Sequence, residues 1–377
     1  MDDPSVVDLT LSQPTPKTSH RLPTVSASQA LQDLTDGPSN FIKTGIASLD
    51  SRLAGASITV EGGFERGKVT EIWGPSGGGK TAIALQAAIH GIHGGSSVLW
   101  LDAAASLSKD RLRGVARVKE ISSPTPSIGR DTTNHFHHVD VPTLSHLLAM
   151  ILHPRADTIP LGASLLAIDG LNHLLDLDYP RYQIAAPNKT ELQKWQAGRR
   201  YAILGFLVSG LNKLAVLNNI AVVVTTGCAT RMRHDNGLGA ALVPGLGGVE
   251  WESGISSRIV VFRDFGVRLV GVQKCQGRSL ISREEVGEPG HLVAFEITSE
   301  GAVTEWMMQK ADGSPLKQAV KARASPVKPR KRTADEIADS EGEDMDEYGW
   351  ADTDDDAFTA EGLVGNGDAS AVPAEPG

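Results

Sequence analysis

One short segment constrains the fold of this 377-residue chain more than any other. Its residues are Gly74, Pro75, Ser76, Gly77, Gly78, Gly79, Lys80 and Thr81. They fit the phosphate-loop pattern G-x-x-x-x-G-K-[ST], in which glycines let successive backbone N–H groups turn inward around phosphates. Lys80 would reach the β- and γ-phosphate oxygens, and the Thr81 hydroxyl would ligate Mg²⁺. The apolar run Val69–Trp73 predicts a strand before the loop and residues 82–90 predict a helix after it, which is the context such a loop requires.

A second metal ligand is expected on a neighbouring strand. Residues 165–169 form a short apolar run that ends in Asp169. Taken alone, this pattern is also typical of a strand followed by a turn. Beside a phosphate loop, however, an acid at the carboxyl end of a parallel strand holds Mg²⁺, usually through water. We therefore predict that Thr81 and Asp169 form the metal site.

Short apolar runs alternate with helical patterns through the middle of the chain. The runs and patterns are Val69–Trp73, 81–90, 98–102, Leu144–Leu152, 165–169, 197–217, 220–226 and 259–262. Continuous apolar strands separated by helices predict an α/β fold, with a mostly parallel twisted sheet covered by helices on both faces. We predict one folded domain over residues 41–308. Residues 1–40, rich in Ser, Thr, Pro and Asp, are predicted to be disordered.

Charge is distributed unevenly along the chain. The net charge is −9, but residues 333–377 hold 15 acidic and no Lys or Arg residues, which leaves residues 1–332 at +6 (36 basic against 30 acidic). We predict a basic linker over residues 309–332 and an acidic disordered tail over residues 333–377. The linker ends in Lys328, Pro329, Arg330, Lys331 and Arg332, which is typical of a nuclear import signal, although a nonspecific DNA-binding arm would look the same. The tail would dock on a basic partner or serve only solubility.

Several classes of protein are excluded. The cysteines, Cys228 and Cys275, are too few for a disulfide scaffold or a four-cysteine zinc site, and they suit a reducing compartment. No apolar run approaches the roughly 18 residues of a membrane span. The first residues are acidic and carry no apolar signal segment, so we expect neither secretion nor a membrane partner.

Around the two nucleotide motifs, an ordered series of shorter matches extends over residues 41–306. The series comprises Thr44-Gly45, Leu49-Asp50, Leu53, Gly67 to Ile72, Asp110-Arg111-Leu112, residues 221–226, Gly247-Gly248 and Ser256-Ser257-Arg258. In this order the chain resembles the RecA-type recombinases, in particular their eukaryotic and archaeal branch. The resemblance implies an ATP-binding core that assembles side by side on DNA, with ATP and Mg²⁺ between neighbours.

Two departures from this family bear on catalysis. In active recombinases a glutamate follows the Asp of the strand matching residues 98–102 by two positions and activates the attacking water. That position is Ala104 here, which can neither accept a proton nor orient water. The family's γ-phosphate-sensing glutamine is replaced by Gly227. Asp102, Asp110 or Glu71 could substitute for the missing glutamate, so the enzymatic activity stays open, with weak or absent DNA-dependent ATP hydrolysis as the expectation.

A third departure concerns assembly. The family's catalytic members carry a helical N-terminal domain and a Phe-x-x-Ala hook, and neither is visible before residue 41. Together these features resemble a recombinase paralogue, a nuclear recombination mediator. It would pair with another recombinase-like paralogue as a heterodimer and help load or stabilise the main recombinase filament on single-stranded DNA. A filament-forming, strand-exchanging ATPase and a scaffold with an empty pocket are the alternatives.

Two segments are candidates for DNA contact. The first is a loop over residues 178–198, with Arg181, Tyr182 and Lys189, and the second is a loop over residues 229–248, with Arg231 and Arg233. Basic side chains neutralise phosphates and aromatic ones stack on bases. Either loop could instead face a partner or solvent. Arg199 and Arg200 are predicted to lie on the solvated face of a helix over residues 197–217.

Residues 135–140 hold three histidines and one carboxylate. His135, His137 and His138 stand near Asp140, which could suggest a metal site. Side chains on a strand alternate between its faces, so the three histidines are not expected to converge on one ion. We therefore favour an interpretation without a metal.

Overall fold

The computed structural model describes residue 26 and residues 40–55, 62–122, 132–155, 157–180, 190–232, 240–264, 266–281, 289–306, 308–309 and 315–316. The strands, in chain order, are β1 Phe41–Ile42, β2 Phe64–Glu65, β3 Val69–Trp73, β4 Ser97–Asp102, β5 Phe136–Asp140, β6 Ala163–Asp169, β7 Ala221–Thr226, β8 Cys228–Met232, β9 Ala240–Pro244, β10 Ser257–Asp264, β11 Val267–Cys275, β12 Arg278–Ser279, β13 His291–Ile297, β14 Val303–Glu305, β15 Met308–Gln309 and β16 Pro315–Leu316. The helices are α1 Ala47–Leu53, α2 Lys80–His93, α3 Lys109–Ser122, α4 Thr132–His135, α5 Leu144–Leu152, α6 Leu171–Asp178, α7 Glu191–Asn218 and α8 Val249–Gly254.

A ten-stranded sheet forms the centre of the described chain. Its order is β14-β13-β11-β10-β3-β7-β6-β4-β5, with β12 paired to β11. The strands from β10 to β5 in this order are parallel, and β11, β13 and β14 add an antiparallel end. The parallel strands β3 and β7 are buried along their whole length, as expected of strands covered on both faces. The predicted α/β fold class is confirmed.

Helices bury both faces of this sheet. On one face α2 packs with its buried Ile83, Leu85 and Ile89. On the other face lie α5, α6 and α7, which contribute apolar side chains such as Leu147 and Leu207 to a second cluster. Because the central strands run parallel, their carboxyl ends meet at one edge, where polar residues are brought together.

The last strand of the sheet is fastened to α2 by a buried amide. The Gln86 Nε2 donates to the Val303 carbonyl at 2.8 Å, and the Val303 N–H donates to the Gln86 Oε1 at 3.0 Å. Gln86 is only 8% exposed, so these bonds satisfy an amide that water does not reach. Residues 217 positions apart in sequence are thereby held together.

The long helix α7 begins six residues earlier than predicted because of a capping box. The Thr190 hydroxyl accepts from the Gln193 N–H, and the Gln193 side chain accepts from the Thr190 N–H. By length and composition α7 could cross a membrane, the one described helix to do so, but core helices of globular proteins pass the same test. Its residues Leu207 and Leu211 are fully buried in the core.

The expectation that Arg200 lies on a solvated helix face is wrong. Arg200 is 5% exposed, and its Nη2 lies 2.8 Å from the Asp176 Oδ1. Its Nη1 donates to the carbonyls of Leu175 at 3.1 Å and Tyr179 at 2.6 Å. Arg200 therefore binds carbonyl oxygens at the carboxyl end of α6, where the negative end of the helix dipole attracts a cation. Arg199, the preceding residue, is exposed as predicted.

Candidate nucleotide-binding site

The phosphate loop lies between β3 and α2, at the carboxyl edge of the sheet. The strand predicted before it has the predicted bounds, and the helix after it begins at Lys80. Gly74 is required by close packing, since a Cβ at this position would lie 1.9 Å from the Val261 carbonyl oxygen. Gly77, with φ of 75°, has open space where a Cβ would project. The loop backbone is therefore bare toward the space that phosphates would occupy.

The side chain of Lys80 is bent back over the loop. Its Nζ donates to the carbonyls of Gly74 at 2.8 Å and Pro75 at 2.9 Å. Burial lowers the pKa of Lys80 from its ordinary value, while the negative charge of Asp169 opposes this shift. An ammonium group held in a partly desolvated loop is a strong donor to an anion such as phosphate.

Thr81 and Asp169 meet as the sequence predicts. The Thr81 hydroxyl donates to the Asp169 carboxylate, with distances of 3.1 Å to Oδ1 and 2.9 Å to Oδ2. The Thr225 hydroxyl also donates to Asp169 and accepts from the Gly170 N–H at 2.8 Å. Burial raises the pKa of Asp169, and the two threonine hydrogen bonds oppose this effect. Thr225, which sequence reasoning missed, orients the carboxylate.

A cavity of about 610 Å³ opens beside the loop. It is lined by residues from the loop and α2 (Gly77, Gly79, Lys80, Thr81), from α3 (Asp110, Arg111, Gly114), from β11 (Arg268) and from the end of β13 and the turn after it (Ile297, Ser299, Glu300, Gly301). This volume is within the range of about 300–1,000 Å³ that is usual for ligand pockets. Residues of β11 and of the end of β13 thus line a cavity for which the sequence indicated only the loop residues.

The groups around this cavity fit a nucleoside triphosphate with Mg²⁺. The Arg268 Nε is buried and has no hydrogen-bond partner within the described part of the chain, so a cationic donor is left over for an anion. Arg111 adds a guanidinium group, which can pair with phosphate or stack on a base. Arg268 had no sequence signal, because only the sheet order brings β11 beside the loop.

Ala104 lies next to the candidate metal site. A Cβ added to Gly170, the residue after Asp169, would be 2.5 Å from the Ala104 Cβ. Ala104 is exposed, so its methyl group leaves open space on the side where a longer side chain would extend. The position at which the resemblance expects a general base is therefore close to Asp169, the candidate metal ligand, but has no titratable group.

The three possible substitutes for a base differ in their surroundings. Glu71 is fully buried, 2.9 Å from the Arg258 Nε, and accepts from the Thr226 hydroxyl at 2.8 Å. Asp102 is 2% exposed and accepts from Trp100 and Leu107. Asp110 is 93% exposed and lines the nucleotide cavity. Of these three carboxylates, Asp110 lines the nucleotide cavity, and Glu71 and Asp102 do not.

Gly227 is engaged through its backbone. Its N–H donates to the Asn172 Oδ1 at 2.7 Å, and the Asn172 Nδ2 donates to Asp176 at 3.3 Å. A Cβ at position 227 would lie 3.2 Å from the Asn172 amide nitrogen. The end of β7 is therefore connected to α6 by Asn172, a residue that the sequence did not single out.

One of the five candidate DNA residues lies on a described element, and the other four lie outside the described residues. The first predicted loop, 178–198, is shorter than expected, because α6 ends at Asp178 and α7 begins at Glu191. Arg181, Tyr182 and Lys189 lie outside the described residues, as does Arg233. The second predicted loop is in part a two-stranded ribbon, since β8 pairs antiparallel with β9. Arg231 lies on β8, opposite Ala241.

Known proteins are similar in sequence to this chain. The DNA repair protein rhp55 of Schizosaccharomyces pombe is 25% identical over 244 residues, which cover 53% of this chain and 69% of that protein. The DNA repair and recombination protein RadB of Methanosphaera stadtmanae is 23% identical over 244 residues, covering 64% of this chain and 90% of the relative. RadB of Methanocaldococcus jannaschii is 29% identical over 164 residues, covering 44% and 67%. No protein-family model matches the chain.

A phosphate loop at the carboxyl edge of a mostly parallel sheet is the arrangement of the P-loop nucleotide-binding proteins, and fold and site place the chain in that class. Within it, the similarity to rhp55 and to the archaeal RadB proteins supports the RecA-type recombinase superfamily, with a eukaryotic paralogue branch. These similarities support a role in DNA repair and recombination.

Proposed function

We propose that the chain is an ATP-binding recombinase paralogue that acts in homologous recombination and DNA double-strand break repair. The observation that carries this proposal is that groups suited to binding a triphosphate lie next to an alanine. Lys80 lies over the loop and Thr81 contacts Asp169, whereas position 104, beside Gly170, offers no base. Binding and hydrolysis are therefore expected to be separated in this protein.

In this proposal ATP·Mg²⁺ acts mainly by binding, and its hydrolysis contributes little. The phosphates would lie on the loop backbone and Lys80, Mg²⁺ would be held by Thr81 and Asp169, and Arg111 and Arg268 would face the rest of the nucleotide. A bound metal would neutralise phosphate charge. A ligand that binds only the folded state stabilises it by mass action, and it would do the same for an interface formed across the nucleotide face.

The partner in this proposal is another recombinase-like paralogue, and the pair would load or stabilise the main recombinase filament on single-stranded DNA. The relatives named for DNA repair and recombination support this direction. The basic run at residues 328–332 and the eukaryotic relative favour a nuclear location. The folded unit would span residues 41–308, with the basic linker and the acidic tail beyond it.

ATP binding and ATP turnover by the same purified protein, with and without single-stranded DNA, test the proposal. We expect saturable ATP binding with turnover far below the usual enzymatic range of about 1–10³ s⁻¹, and little stimulation by DNA. Brisk DNA-stimulated turnover would instead support a filament-forming ATPase that uses another carboxylate. Long regular filaments with DNA and ATP alone, seen by electron microscopy, would support that alternative as well. Absence of ATP binding would favour a scaffold.

DNA contact is proposed for the β8–β9 ribbon and for the segment between α6 and α7. Arg231 is partly exposed on the ribbon, where a cation can reach a phosphate. We expect Arg231→Ala to weaken binding to single-stranded DNA and to reduce its salt dependence, because one phosphate contact is lost. Lys68→Ala is the matched control, since Lys68 is exposed at the opposite, amino-terminal end of β3. Equal affinities for the two variants would remove Arg231 from the interface.

A further inference from the structure

A second polar cluster lies at the carboxyl edge of the sheet, outside the nucleotide cavity. It consists of Asp102 at the end of β4 and His138 and Asp140 at the end of β5. The parallel register pairs Asp102 with Asp140 on one side and with Asp169 on the other. The cluster is therefore one strand removed from the candidate Mg²⁺ residue, and none of its members contacts the phosphate loop in the described hydrogen bonds.

The donor atoms of the cluster are close to one another. One oxygen or nitrogen from each of Asp102, His138 and Asp140 lies within 4.8 Å of the others. The His138 Nε2 is 2.5 Å from the Asp102 Oδ2 and 3.9 Å from the Asp140 Oδ1. Ligand atoms about 2.1 Å from a tetrahedral zinc ion would be about 3.4 Å apart, a value between these two distances. Small side-chain movements would thus bring the three atoms to metal-binding separations.

Asp102 is held in place as a metal ligand usually is. Its side chain is 2% exposed, and the Trp100 Nε1 donates to its Oδ1 at 2.7 Å. The Leu107 N–H donates to its Oδ2 at 2.6 Å. Hydrogen bonds of this kind orient ligands and raise metal affinity. His138 and Asp140 are accessible, so an ion can enter from solvent.

A small cavity lies directly beside these groups. Its volume is about 160 Å³, and its lining includes Asp102, Asp140, Ala104 and His173. Three protein ligands with an adjoining polar cavity leave room for water in a fourth position, as in open zinc sites. The sequence favoured an interpretation without a metal because it considered β5 alone. The register of β4 against β5 brings His138 to Asp102, a contact that one strand does not indicate.

We propose that Asp102, His138 and Asp140 bind a divalent ion of the zinc type. An imidazole with two carboxylates favours Zn²⁺ over Mg²⁺, which seldom takes nitrogen ligands. The site is distinct from the Thr81–Asp169 site and does not depend on the proposed function. A bound ion would place a fixed positive charge beside Ala104. Position 104 is where the resemblance expects a carboxylate.

Zinc binding by the full chain, after treatment with a chelator, tests this proposal. Titration with Zn²⁺ is expected to give one tightly bound equivalent in the wild type. His138→Ala removes a ligand and is expected to weaken this binding about 100-fold, the upper end of the loss caused by changing a residue that only orients a ligand. Co²⁺ in place of Zn²⁺ should give the visible absorption of a tetrahedral site in the wild type but not in this variant. Mg²⁺ should not compete.

The chain offers close controls. His137→Ala changes the neighbouring exposed histidine on the opposite face of β5 and should bind Zn²⁺ like the wild type. Asp140→Asn changes a side chain that is 69% exposed, so the fold is preserved, and should weaken binding about tenfold, the lower end of the losses seen when groups around a metal are changed. Lys80→Ala should leave zinc binding unchanged, which separates this proposal from the nucleotide site. No stoichiometric zinc binding, or equal affinities for His137→Ala, His138→Ala and wild type, would overturn it.

Discussion

Two neighbouring regions of the carboxyl edge differ in what they retain of a nucleotide-hydrolysing site. The phosphate region, made of the loop, Thr81 and Asp169, has its groups within hydrogen-bonding distance of each other. The β4–β5 region, made of Asp102, Ala104, His138 and Asp140, has an alanine where a base is expected and a carboxylate–histidine cluster beside it. In the proposed function, holding a triphosphate and activating water would depend on different strands, so the first could be kept without the second.

Replacing Ala104 with glutamate is expected to have the largest effect on the difference between the two regions. A glutamate at position 104 would extend from an exposed position beside Gly170, the residue after the candidate metal ligand Asp169. General bases contribute about 10²–10⁴-fold to rates, and since position 227 lacks its sensor we expect Ala104→Glu to raise ATP turnover about 100-fold. Steady-state phosphate release with single-stranded DNA measures the change.

The control for this change is Ala105→Glu, which adds the same charge at the next exposed position. Its turnover should equal that of the wild type. If both variants have the same rate, position 104 has no special relation to the attacking water, and the difference between the two regions is not catalytic.

Removing Lys80 would test the phosphate region itself. Lys80→Ala deletes the ammonium group that lies over the loop, and charge-assisted hydrogen bonds of about 1.5–3 kcal/mol correspond to about 10–100-fold weaker ATP binding. Association with a partner paralogue should weaken as well, because ATP would act as an interface ligand. Equilibrium nucleotide binding and co-purification with the partner measure the two effects, with Lys68→Ala as control. Loss of ATP binding with unchanged partner binding would contradict the structural role of ATP.

The smallest effect is expected from Asp169→Asn on the folding stability of the chain in the absence of nucleotide. Burial raises its pKa above the ordinary 3.8, so the folded chain holds this proton more tightly than the unfolded chain. The contribution of this carboxyl group to folding stability is therefore fully present below its ordinary pKa. It is lost as the pH rises through the raised pKa of the folded chain. Asp169→Asn removes this loss, so urea unfolding midpoints should favour the variant more at about pH 7 than at about pH 4. Asp157→Asn, at an exposed carboxylate, is the control, and a variant that gains equally at both pH values would refute the prediction.

Local patterns were sufficient to predict central strands and the contact between Thr81 and Asp169. Val69–Trp73 and Leu144–Leu152 have the predicted bounds, because continuous apolar runs and helical periodicity depend only on neighbouring residues. The pairing of Thr81 with Asp169 followed from the rule that parallel strands end at one edge. The N-terminal segment and the acidic tail lie almost wholly outside the described residues, so the predicted domain limits stay predictions.

Features that depend on tertiary contacts could not be predicted in this way. Arg200 is buried because α6 ends beside it, and nothing near it in sequence indicates that carbonyl cluster. The contact of His138 with Asp102 depends on the register of β4 and β5, and Arg268 reaches the nucleotide cavity only through the sheet order. The capping residue Thr190 did carry a signal, since a threonine followed three residues later by a glutamine is typical of a helix start.

The walls of the nucleotide cavity come from opposite ends of the folded chain. Residues 77–114 supply one side, and Arg268 with residues 297–301 supply the other, while Gln86 fastens Val303 to the helix after the loop. During synthesis the phosphate loop leaves the ribosome long before its opposite wall exists. A growing chain therefore cannot enclose a nucleotide until the antiparallel end of the sheet has emerged, so nucleotide capture would mark completion of the polypeptide's core.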